Sequence, residues 1–182
     1  MKHREIRNMT YAAMCLALGL VLPLLTGNIP QFGRMLSPMH IPALLCGFLC
    51  GWPYGLVVGF VMPLLRSLIF QMPAPLFPNA LAMAFELAAY GVASALLYRA
   101  LPRHIGHLYL ALVASMLIGR AVWGLATAVL MAAAGNPFTW ALFLAGAFVN
   151  AWPGIALHIV VIPPVVLALR KAKLLTDSTA EA

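Results

Sequence analysis

The sequence predicts an all-α integral membrane protein with six transmembrane helices and both termini in the cytoplasm. Three observations predict it. The 182 residues are 64% hydrophobic and 8% charged, whereas an ordinary soluble domain is about a quarter charged. That leaves too little polar surface to cover a water-soluble core. The apolar residues fall in runs able to cross about 30 Å of hydrocarbon. The basic residues are also sorted by position. Eight of the eleven are Lys2, Arg4, Arg7, Arg99, Arg103, Arg170, Lys171 and Lys173, all in short segments flanking apolar runs, where the positive-inside rule puts cytoplasmic charge. The net charge of +7 is therefore a topology signal. Nucleic-acid binding would need a contiguous basic face with stacking aromatics, and the sequence has none.

The elements follow in order. MKHREIRN is a basic lead, and the first helix runs over about 9–25. No convincing small-residue cleavage site follows this run, so it is read as a span and not as a removed leader. On it, Ala13 and Ala17 make a small-xxx-small pair, suited either to close approach of another helix or to internal packing. Residues 26–39, TGNIPQFGRMLSPM, form an outer loop with Arg34 as its only charge; its apolar side chains favour a lid that packs down. A short second helix covers about 40–51, Trp52-Pro53 turns the chain, and a third helix covers about 54–70. Gly47/Gly51 and Gly55/Gly59 are consecutive GxxxG spacings, which predict backbone-to-backbone packing of the second and third helices.

The segment QMPAPLFPN is held rigid by three prolines and leads into a fourth helix over about 80–98. A fifth covers about 107–134, long enough to tilt or break. After the GNPF turn the sixth covers about 139–169, with Pro153, Pro163 and Pro164 interrupting it. The RKAK run marks a cytoplasmic exit. Residues 1–182 thus read as one membrane domain without an internal repeat.

Polar groups inside the spans point to function, because lipid does not tolerate them facing outward. Arg66 and Glu86 fall in the outer half, Arg120 falls near the middle of the fifth helix, and Asn79, Asn136 and Asn150 add amides. An unpaired Arg at the bilayer centre costs at least about 2.5–3.5 kcal/mol, so these side chains face the interior. An Arg66–Glu86 ion pair clamping the third and fourth helices is one reading. It leaves Arg120 without a carboxylate, since Glu86 is the only acid within the spans, and a spare buried cation suits an anionic or carbonyl-rich ligand. Trp123, with Trp140 and Trp152, could wall a ring. His40 and His158, taken singly, read as structural.

Catalytic chemistry is not indicated. HExxH, GxSxG and a phosphate-cradling glycine loop are all missing from the sequence, and no Asp lies in the spans. Cys46 and Cys50 share a helical face, yet no His, Asp or Glu stands near them on that helix to complete a metal site. No metal, cofactor or enzymatic activity is expected.

The run LSPMHIPALLCGFLCGWPYGLVVGFVMPLLRSLIF, with the AMxxExxxYG pattern at Ala82, Met83, Glu86, Tyr90 and Gly91, resembles the substrate-binding S-components of energy-coupling factor (ECF) transporters. The likeness covers most of residues 9–169. It implies a high-affinity subunit of the bacterial plasma membrane that captures a vitamin or related micronutrient from outside. It also implies a separate energising module, made of a transmembrane scaffold subunit and two ATPases. Ala13 and Ala17 match the alanine motif by which such proteins dock on the scaffold. The resemblance places the site among the first outer loop and the fourth to sixth helices. The substrate-binding candidates are Arg34, His40, Arg66, Asn79, Glu86, Arg120, Trp123 and Asn150. Arg120, with Arg66, favours an anion such as niacin or pantothenate; riboflavin, pyridoxine or a thiamin precursor would lean more on Trp123 and the asparagines. The reading from another class is a non-transporting six-span scaffold or assembly protein, which would bind no solute.

Overall fold

The computed structural model describes residues 2–25, 36–73, 76–102 and 104–172, and among these the regular structure is entirely helical. Helix α1 is Lys2–Leu25, α2 is His40–Cys50, α3 is Trp52–Phe70, α4 is Leu81–Ala100 and α5 is Ile105–Ala133. A short α6, Trp140–Leu144, passes through a π turn into α7, Trp152–Lys171.

Five segments are long and apolar enough to cross a membrane: Arg4–Leu24, Trp52–Phe70, Phe77–Ala100, Ile105–Ala133 and Trp140–Lys171. The expected sixth span is the exception. Helix α2 has 11 residues, about 16 Å at 1.5 Å per residue, roughly half the hydrocarbon thickness. Its surroundings explain how so short a helix is stable. Nine of its residues are buried, so it is sheathed by protein on nearly every side, as an all-round apolar helix must be. Of the six expected helices, five are therefore long and apolar enough to span among the described residues, and the remaining one, α2, is present but short. The lid expected from the first outer loop falls mainly on residues outside those described.

Local chemistry sets the helix ends. Gly51 has φ +89°, a conformation that L side chains rarely adopt, and it turns α2 into α3 within one residue. Pro53 occupies the first turn of α3, where a missing N–H breaks no helical bond. The His104 ring caps α5, Nδ1 accepting from the Gly106 N–H at 3.4 Å. Thr139 caps α6, its Oγ1 accepting from the Leu142 N–H at 3.3 Å. The segment 139–169, expected to be interrupted at Pro153, is broken at 145–151. Pro153 is the reason: deep inside a helix its ring would strike the carbonyl four residues back, so it sits in the first turn of a new one. Pro163 and Pro164, expected to interrupt the segment, lie within α7.

Helix α4 is the hub, packed against α2, α3 and α5, while α1 lies on α2 and α3, and α7 touches α2 and α5. Here the glycine expectation is corrected. Gly55 meets the Gly91 backbone, Gly59 meets the Leu87 carbonyl, and Gly47 faces Gly91 and the Ser94 hydroxyl. The glycines of α2 and α3 thus face α4 instead of each other. Ser94 Oγ donates to the Leu44 carbonyl at 3.3 Å across the same seam. Leu44, Met62, Leu87, Tyr90, Leu112 and Ile162 fill the core, and Leu68, Leu125 and Val160 project outward toward lipid.

Candidate functional site

The hub helix carries the polar centre. Glu86 lies on the inward face of α4, 1% exposed. Its Oε1 accepts from Arg120 Nη1 of α5 at 2.9 Å and from the Tyr90 hydroxyl at 2.9 Å. Tyr90 is one turn further along α4, the i,i+4 spacing that places side chains on one face. His40, first residue of α2, brings Nε2 to 3.4 Å from the same oxygen without hydrogen-bond alignment. Its other nitrogen, Nδ1, lies 3.1 Å from the Ser37 carbonyl.

His158 of α7 approaches that same carbonyl, Nε2 to oxygen 3.3 Å. The two imidazoles stack at 5.7 Å and 22°, and His40 packs against Tyr90 at 5.2 Å. Ser37 has φ +44°, unusual for a residue with a side chain. A carbonyl can only accept, so this geometry puts a proton on His40 Nδ1 and on His158 Nε2. Four helices therefore converge on one buried charge pair. Such a pair overcomes its desolvation cost only when further hydrogen bonds serve the buried oxygens, and Tyr90 supplies one.

This arrangement corrects the expected ion pairing. Glu86 belongs to Arg120, not to Arg66. Arg66 donates Nη1 to the Leu20 carbonyl of α1 at 3.1 Å, with its guanidinium 5.4 Å from the Phe70 ring centre, a cation–π contact. Of the two arginines that favoured an anionic ligand, Arg120 is thus paired with Glu86, while Arg66 meets a neutral carbonyl and a ring.

The other candidates divide. His40 and Arg120 join Glu86 at the centre. Trp123 is half-buried, stacked on Phe143 at 6.3 Å and 26°, edge-on to Phe138 and closely packed over Gly146. Asn79 and Asn150 are exposed, outside the buried cluster, and Arg34 lies outside the described residues. Trp140 and Trp152, offered as ring walls, are 71% and 65% exposed. Ala13 and Ala17 lie on the exposed face of α1, opposite the buried Ala12 and Cys15. That disposition keeps both alanines out of the packing among the described residues.

Sequence reasoning did not select Tyr90, His158 or Ser37 as site residues. The four-residue step from Glu86 could have found Tyr90. His158 has no local signal, because only the packing of α7 on α2 brings it in.

A multi-pass helical membrane protein with a buried, hydrogen-bonded charge pair at its centre is of the class that handles polar solutes, since ionisable groups at that depth mark substrate paths or sites. The chain belongs to the family of ECF transporter substrate-specific components, whose family model matches residues 7–166. It is a substrate-binding subunit of an ECF importer by that membership, and a small-molecule substrate and an ECF module are its partners in general terms. No curated protein and no solved structure matches it.

Proposed function

We propose that this chain captures a vitamin or related micronutrient at the outer face of a bacterial plasma membrane and delivers it to a scaffold subunit driven by two ATPases. Both termini lie in the cytoplasm in this reading, because eight basic residues flank the spans on one side and Arg34 alone lies in an outer loop. The observation that carries the proposal is the Glu86–Arg120–His40 cluster, at the meeting point of α2, α4 and α5, in a chain of this family. Buried ionisable groups in a membrane are expensive and persist where a polar solute must be held. Trp123, beside the cluster on α5, supplies an aromatic surface.

Native mass spectrometry of protein released gently from its membrane tests this. The expected spectrum shows the chain with a retained small molecule, lost in Arg120→Ala when equal amounts of folded protein are compared. A protein that carries nothing, and whose melting temperature does not move across a panel of vitamins, would overturn the proposal.

A further inference from the structure

Three buried polar atoms at or near the cluster lack a hydrogen-bond partner: His40 Nε2, Arg120 Nε and Thr127 Oγ1. Such atoms are rare in folded proteins, because each keeps a desolvation cost without a compensating bond. Their chemistry differs in a useful way. With His40 Nδ1 turned to the Ser37 carbonyl, Nε2 stands 3.4 Å from Glu86 Oε1, an acceptor, without hydrogen-bond alignment. Nothing fits between atoms so close, but a donor set to one side of them can reach the Glu86 carboxylate. Arg120 Nε–H is a donor and calls for an acceptor.

Thr127 lies two turns further along the same face of α5, about 10 Å away, and is 6% exposed. A threonine hydroxyl within a helix commonly returns to its own backbone, and this one does not. Trp123, between Arg120 and Thr127 in the chain, offers a flat surface.

Within the cluster the charge of Arg120 is balanced by Glu86. A carboxylate or phosphate entering beside Glu86 would set like charges together where water is scarce, and taking Arg120 for itself would strand Glu86.

We infer that the ligand is an uncharged, elongated planar heterocycle. It presents a hydrogen-bond donor to Glu86 beside an acceptor for Arg120, as the edge of a cyclic amide does, and a second polar group to Thr127. This rests on the proposed function and names the chemical class of its substrate.

The test uses the full chain in nanodiscs with matched neutral and anionic probes: nicotinamide against nicotinate, panthenol against pantothenate, and riboflavin against its 5′-phosphate. In parallel, the protein is equilibrated with a deproteinised cell extract, washed, and its retained compound identified. The expected results are at least tenfold tighter binding of the neutral member of any pair that binds, and a retained compound uncharged at neutral pH. Thr127→Val should weaken binding of the best ligand at least fivefold at unchanged melting temperature. Preference for the anionic member, or retention of a carboxylate or phosphate, overturns the inference and leaves the capture role standing. Unaltered affinity in Thr127→Val overturns the elongated mode. If no probe binds and nothing is retained, the capture role itself fails.

Discussion

Glu86 and Arg120 form a charge pair whose members cannot be removed singly without consequence. Arg120→Met leaves the carboxylate buried beside Tyr90 and His40 without its cation, and breaking a buried pair in this way costs about 3–5 kcal/mol. The double variant Glu86→Gln with Arg120→Met removes both charges and should recover much of that loss. Thermal unfolding in mild detergent measures both variants, and a double variant no more stable than Arg120→Met would show that the pair does not couple the helices. The two charges themselves were legible, because a carboxylate and two arginines stand out in runs this apolar. Their partnership was not. Arg66 and Arg120 both had the right sign and nearby depth, and the choice between them depends on how α5 packs against α4. His158 was hidden for the same reason: it meets Ser37 across 121 positions of chain.

Helix α4 sets the spacing of the other elements, and Gly91 is where that spacing is tightest. A Cβ at Gly91 would collide with the Gly55 backbone, and rigid main chain cannot give way as a flexible side chain can. Gly91→Leu should therefore force α3 off α4, at a cost of about 1–3 kcal/mol or more by overpacking, and disturb Glu86, one turn and a residue earlier. Gly106→Ala is the control. Its added methyl meets only the His104 ring, at 3.8 Å, and alanine in a helix gains up to about 1 kcal/mol over glycine. Monodisperse yield and melting temperature should fall for Gly91→Leu and hold or rise for Gly106→Ala; equal behaviour would mean that the α3–α4 seam is loose. The GxxxG spacing showed that close approach occurs, since spacing reports only that a helix has a bare face. It could not show that both bare faces turn to α4. The existence of α2 was similarly legible, while its enclosure was not, because an apolar helix enclosed by protein and one enclosed by lipid read alike.

At the scale of the molecule the polar centre and the outer face of α1 lie apart. The cluster joins α2, α4, α5 and α7, while Ala13 and Ala17 lie on the exposed side of α1, flanked by the exposed Met9, Met14, Leu18 and Val21. Two small residues on an apolar face let another helix approach closely, and in lipid such contact depends on packing since the hydrophobic effect supplies no drive. A Trp at position 13 or 17 would point away from the core and leave the fold and the Glu86–Arg120 pair intact. It would also hold an approaching helix several ångströms away. Ala13→Trp and Ala17→Trp should accordingly bind ligand as the unaltered chain does in purified form. In cells or vesicles containing the energising module they should fail to take the ligand up and fail to co-purify with the scaffold subunit. Full uptake by both variants would remove α1 as the docking face. Loss of binding together with uptake would mean that α1 and the cluster are coupled through α2, the helix that touches both.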